Sequence, residues 1–212
     1  MRNFLNSIRT PDTNMSIGNK IINTILIFLI GIVLGIFSKW LDNLSIDDTI
    51  WWQYIIGILD LCNIFSMFGI WLLIATTISV FSKTPSRASL NVFLFFLGMT
   101  VSYHLYTIYF GGFNPKSYMM IWYIITLITP LLAFICWYAR GNGKISLIIC
   151  SGILAVMLIS SFSIGMWYFD FKSVIDTVLF IGIIVVLYTS PKKSVYSLLG
   201  SLILAFNFSV LV

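Results

Sequence analysis

The feature that most constrains this chain is a series of apolar runs, most of them about twenty residues long, recurring from Ile21 to the C-terminus with only short polar connections between them. A helix of that length satisfies its own backbone hydrogen bonds while crossing the hydrocarbon core of a bilayer, whereas a soluble domain interrupts such runs with charge. Composition agrees: 59% of residues are hydrophobic and 9% charged, against roughly 25% charged in soluble domains, and the mean hydropathy is +1.02. The expected fold class is therefore all-α, a polytopic transmembrane helix bundle.

The runs divide as Ile21 to Ser38, Trp51 to Ser82, Ala88 to Phe110, Tyr118 to Tyr138, Ile145 to Tyr168, Val174 to Tyr188 and Val195 to Val212. The second is too long for one ordinary crossing. It resolves if Trp51, Trp52 and Tyr54 ride on a short interfacial helix between Asp48 and Leu59, where amphipathic rings favour the headgroup layer. Asp60 then opens a true span from Leu61 to Ser82. Seven spans follow, with six plus a short terminal hairpin segment as the alternative. Residues 1–20 form a cytoplasmic N-terminal segment and 21–212 a single transmembrane domain.

Orientation follows from the twelve Lys and Arg residues. On alternate sides of seven spans, nine fall with the N-terminus (Arg2, Arg9, Lys20, Lys83, Arg87, Arg140, Lys144, Lys192, Lys193) and three opposite (Lys39, Lys116, Lys172). Basic residues resist translocation, so the richer side is cytoplasmic. The net charge of +5 thus reads as membrane orientation and not as a nucleic-acid footprint. The expected location is a plasma membrane, of the bacterial inner-membrane kind.

Within the spans only Asp60, His104 and Asp176 are ionisable side chains of the acidic or imidazole type, and the topology puts all three in the outer half. Charge at that depth is costly unless it faces protein, water or a ligand. Asn63 lies one helical turn beyond Asp60, Tyr103 adjoins His104, and Trp122 sits about one turn inside its span. The expected site is an outward-facing pocket built from Asp60, Asn63, Tyr103, His104 and Trp122, with Asp176 at its edge. Carboxylate, imidazole and rings together suit a small polar or ring-bearing solute. Blander readings compete. Asp60 can cap its helix, Asp176 can answer the helix dipole and Lys172, and His104 can bond a carbonyl or a tyrosine.

Gly31 and Gly35 form a GxxxG step, and Gly98 with Ser102 a second small-residue step; such pairs let helix backbones approach closely, within the chain or against a partner. Cys62, Cys136 and Cys150 have no metal-ligand or redox spacing. No HExxH, GxSxG or CxxC motif occurs, so neither an enzyme nor a metal or organic cofactor is expected. The expected partners are membrane lipid, a small solute and, in the second reading, another membrane subunit served by a non-catalytic accessory, immunity or assembly protein.

Overall fold

The computed structural model describes residues 2–47, 49–164 and 168–211, with side chains described from Phe4 to Phe208; Asp48, Trp167 and Val212 lie outside the described residues. Among the described residues, 81% are helical. Its helices are α1 (Arg2–Ile8), α2 (Ile17–Asp42), α3 (Trp51–Ile58), α4 (Leu61–Ser66), α5 (Phe68–Phe81), α6 (Pro85–Gly111), α7 (Lys116–Trp137), α8 (Gly143–Ser161), α9 (Val174–Leu187) and α10 (Pro191–Leu211). A 3-10 turn at Tyr138–Arg140 follows α7, and two short strands, β1 (Phe162–Ile164) and β2 (Phe169–Phe171), pair antiparallel between α8 and α9. Among the described residues, four segments are long and apolar enough to cross a membrane: α2, α6, α8, and α7 together with its 3-10 turn. The apolar helices α5 and α9 have 14 residues each, about 21 Å of rise against a hydrocarbon core of about 30 Å.

Two compact units are interleaved in sequence: one comprises Met1–Asp12, Phe68–Ala88 and Ala133–Val212, the other Thr13–Met67 and Ser89–Leu132.

In the second of these, α2 starts at Ser16, whose hydroxyl accepts the Asn19 N–H at 3.3 Å, the usual service of an N-cap serine. One face of α2 exposes Ile21, Ile25, Leu29 and Val33, a stripe at four-residue spacing suited to lipid. The other face carries Gly31 and Gly35, and it closes on α6. A Cβ on Gly31 would collide with the Phe95 carbonyl, and one on Gly35 with the Met99 carbonyl and the Ser102 hydroxyl. From the opposite side, a Cβ on Gly98 would lie 2.8 Å from the Phe28 carbonyl. Ser102 Oγ donates to the Ile32 carbonyl at 3.0 Å, and Thr24 Oγ1 to Asn91 Oδ1 at 2.9 Å. Contacts from Thr24–Asn91 to Gly35–Ser102 rise together in sequence, so α2 and α6 run parallel.

Helix α7 runs the other way along α6, from Ser89 against the Pro130 carbonyl (2.8 Å), through Thr100 against Thr126 (3.1 Å), to His104 against Tyr123 (2.9 Å). Pro130 has no N–H to give the Thr126 carbonyl, and the Thr129 hydroxyl takes its place at 2.7 Å. That substitution keeps a proline tolerable inside an apolar helix.

The expected single helix from Leu61 to Ser82 is divided. Met67 adopts extended backbone (φ −85°, ψ 154°) between α4 and α5. Asp60 adopts left-handed backbone (φ 49°), unusual for a residue other than glycine, so α3 and α4 are separate helices. Gln53 on α3 and Asn63 on α4, which one continuous helix would align in a polar stripe with Asp60 and Met67, therefore lie on separate helices. The fifth run also ends early: α8 stops at Ser161, and Phe162 packs on the rings of Phe169 and Phe171 across the hairpin, at 5.0 and 5.4 Å.

In the first unit, α8 and α10 lie side by side and parallel. Lys193 meets Ser146, Gly200 meets Ser151 and Ala205 meets Leu158 and Phe162. The 21 residues of α10 thus run beside the 19 of α8 over most of their length. Helices α5 and α9 form a second parallel pair, with Gly69 against Leu179 and Leu73 against Gly182.

The same unit gathers basic residues onto helix C-termini, whose last carbonyls lack intrahelical donors. Arg9, just beyond α1, donates to the Trp137 carbonyl at 2.5 Å and the Val80 carbonyl at 2.8 Å, and its guanidinium lies 4.1 Å from the Trp137 ring centroid. Burial, with Arg140 nearby, lowers the Arg9 guanidinium to about 10, which leaves it charged at neutral pH. Lys193 Nζ donates to the Ala139 and Gly141 carbonyls at 2.6 and 2.9 Å. Asp12 pairs with Lys83 at 2.7 Å, and Leu5 and Ile8 of α1 pack against Trp137 and Tyr138. Residues 2–12 are thus a structural part of this unit.

Candidate functional site

A polar and aromatic constellation lies where α2 and α6 end and α7 begins. Lys39 and Asp42, three residues apart on the last turns of α2, share a face because a helix repeats every 3.6 residues. Their Nζ and Oδ2 atoms are 3.6 Å apart, with side chains 10% and 18% exposed. Asp42 is held from two directions. The Tyr103 hydroxyl of α6 donates to Oδ2 at 2.6 Å, and the Ser66 hydroxyl of α4 to Oδ1 at 3.1 Å. The Lys39 ammonium lies 5.4 Å from the Tyr103 ring centroid and 5.8 Å from that of Phe113, within cation–π range. The rings continue from Tyr103 to Tyr118 at 6.4 Å and from Tyr118 to Trp122 at 6.5 Å.

His104, the next residue on α6, turns toward α7. Its Nε2 lies 3.0 Å from Asn114 Oδ1 and its Nδ1 lies 2.9 Å from the Tyr123 hydroxyl. An amide oxygen only accepts, so Nε2 donates to Asn114, while the Tyr123 hydroxyl can either donate to Nδ1 or accept from it. The ring thereby links α6, the 112–115 turn and α7. Gly112 at φ +70° reverses the chain there, a left-handed backbone that glycine adopts without strain.

Of the residues expected at the site, Tyr103, His104 and Trp122 belong to this constellation. Asp60 and Asn63 bond each other, Nδ2 to the two carboxylate oxygens at 2.9 and 3.0 Å, on the exposed side of α4. Asp60 occupies the N-cap position of α4 but makes no side-chain cap hydrogen bond, so helix capping does not account for its carboxylate. Asp176 sits in the other unit, 3% exposed, in a reciprocal cap with Ser173: its N–H donates to Ser173 Oγ and the Ser173 hydroxyl to its Oδ2, each at 3.0 Å. Lys172 is drawn instead to the C-terminus of α8, donating to the Ser160 and Ile159 carbonyls at 2.9 and 3.2 Å.

Sequence reasoning ends the first run at Ser38 and leaves Lys39 and Asp42 out of the expected site, although their i, i+3 spacing on a helix end is a usable signal. It also passes over Tyr123 and Asn114, whose roles emerge only once α6 and α7 are paired. Cys62, Cys136 and Cys150 are free thiols; Cys62 Sγ donates to the Leu41 carbonyl at 3.3 Å, helping to seat α4 on the end of α2.

Fold and site together define a helical chain with four segments able to cross a membrane and a polar, aromatic constellation at one helix end. No family model, curated protein or solved structure matches it.

Proposed function

We propose that this is a seven-span protein of the plasma membrane, N-terminus cytoplasmic, that binds or transports a small polar or ring-bearing solute at the outer helix ends around Tyr103 and His104. The observation that carries the solute reading is the Lys39–Asp42–Tyr103 grouping, with ring faces leading from Tyr103 through Tyr118 to Trp122. A stacking surface beside fixed charge is what recognition of a small polar solute requires. The accessory-subunit reading needs small-residue faces free for a partner helix; Gly31, Gly35, Gly98 and Ser102 are used within the α2–α6 contact, which leaves that reading without support of its own.

Helix directions support the crossing number. In one unit α2 and α6 run together with α7 opposed. In the other, α10 is coextensive with α8, so a bilayer spanned by α8 is spanned by α10 as well. With single cysteines in a Cys-free background, positions Asn114 and Ser173 should label from outside intact cells, and Ser86 and Asn142 only after permeabilisation. The reverse pattern would overturn the orientation.

For the solute, thermal unfolding of purified protein against vitamins, nucleosides and amino acids is the direct assay. A ligand at a hundred times its Kd contributes about 2.7 kcal/mol, a clear rise in midpoint. Tyr118→Ala should abolish the shift for whichever solute gives it while leaving the unliganded midpoint within a few degrees, since Tyr118 is 43% exposed. No shift with any solute, or a shift indifferent to Tyr118, would defeat the proposal.

A further inference from the structure

Resting on that solute reading, we infer that the ligand class is an aromatic α-amino acid in its zwitterionic form, its carboxylate on Lys39, its ammonium on Asp42 and its ring on the Tyr118–Trp122 faces.

Among the described residues, the Lys39–Asp42 pair leaves hydrogen-bonding capacity unused on both sides. Lys39 is 8% exposed, and an ammonium taken out of water normally directs its three N–H groups at acceptors. Among the described residues its ionic partner is Asp42 Oδ2 at 3.6 Å, beyond hydrogen-bonding distance, and otherwise it faces the rings of Tyr103 and Phe113. Lys193, by contrast, is half-buried and donates to two carbonyls and a hydroxyl, all within 2.9 Å. The chain satisfies a lysine fully where the role is structural. At Lys39 the donors are held close to a carboxylate without being spent on it.

Asp42 has spare capacity too. A carboxylate offers about four acceptor positions, and Asp42 receives Tyr103 on one oxygen and Ser66 on the other. Unspent donors and acceptors 3.6 Å apart are the complement of a carboxylate and an ammonium on one carbon. A simple anion would add negative charge beside Asp42, and a simple amine would add positive charge beside Lys39. A zwitterion adds neither, which is the less costly arrangement where charges are poorly screened. The adjoining ring faces of Tyr118 and Trp122 favour an aromatic side chain over an aliphatic one.

The test uses the full-length protein and four probes: L-phenylalanine, 3-phenylpropionate, phenethylamine and L-alanine, measured by calorimetric titration. L-phenylalanine should bind saturably. Removing its ammonium, its carboxylate or its ring should each weaken binding about tenfold or more, the usual loss for an unmatched charged hydrogen bond or a lost stacking partner. Lys39→Met should bring L-phenylalanine down to the level of phenethylamine; the wild-type comparison of probes stands whether or not that variant folds. Phenethylamine or phenylpropionate binding as tightly as L-phenylalanine would overturn the zwitterion. If L-phenylalanine does not bind but adenosine or nicotinamide stabilises the protein through Tyr118, the amino-acid class falls and the solute site stands. If nothing in either set binds, both fall.

Discussion

Gly35→Leu is expected to prevent the α2–α6 pair from closing and to remove most of the folded protein from the membrane fraction. The position has no room for even a Cβ, which would collide with both the Met99 carbonyl and the Ser102 hydroxyl. Backbone cannot yield as a flexible side chain does, so the helices must separate along their length. Overpacking of this kind costs about 3 kcal/mol or more, a large part of the roughly 5–15 kcal/mol typical of a folded domain. Separation would also strain the Ser102–Ile32 and Thr24–Asn91 hydrogen bonds that depend on the same approach. Gly35→Ala should give a smaller loss of the same sign. Gly152, also inside a helix, has nothing within 4 Å of the place a methyl group would take, so Gly152→Ala should be neutral or stabilising by up to about 1 kcal/mol through helix propensity. Monodisperse yield and the thermal midpoint in detergent measure all three. A Gly35→Leu protein as stable as wild type would mean that α2 and α6 do not meet there.

Arg9→Ala is expected to produce the second-largest loss, about 3 kcal/mol, from two charge-assisted hydrogen bonds and a stacked ring contact. The Val80 and Trp137 carbonyls at the ends of α5 and α7 lose their donor. Arg9→Lys should recover only part, because one ammonium cannot reproduce the planar two-pronged geometry of a guanidinium. With the folded-state guanidinium lowered only to about 10, its charge and these bonds persist through the physiological range. The loss on mutation should therefore be the same at pH values of about 6 and about 8, both well below the point at which the group gives up its proton. Hydrogen exchange over residues 2–12 should accelerate in Arg9→Ala, since α1 loses its charged anchor and keeps the packing of Leu5 and Ile8 and the Asn142 N–H bond to the Ile8 carbonyl. Unchanged protection there would refute the anchoring role.

Much of the helix plan was legible from the chain. Apolar runs and the polar breaks between them mark where helices lie, because each span must hold its own backbone hydrogen bonds and exclude charge whatever its neighbours do. Asp176 was legible as lying near the start of a helix for a similar local reason. The division of the second stretch was only half legible. The aromatic segment before Asp60 announced itself by composition, but the extended backbone at Met67 and the left-handed one at Asp60 have no residue-level signal such as Gly or Pro.

The candidate site was legible by depth and not by partnership. Tyr103 and His104 stood out as polar groups in an apolar run, yet the carboxylate that engages Tyr103 is Asp42, 61 residues away in sequence, and not Asp60. Hydropathy along a chain records what each helix must do toward its solvent. Which helices touch, and at which turn, depends on where small residues permit close approach and where hydroxyls find carbonyls, and those are properties of pairs. The sequence by itself therefore determined a helical chain with segments suited to crossing a membrane. The tertiary structure alone decided that α2 runs beside α6, that Lys39 and Asp42 meet Tyr103 at their common end, and that Asp60 and Asn63 bond each other. Lipid solvation acts on every residue independently, whereas these contacts exist only once two helices have met in register.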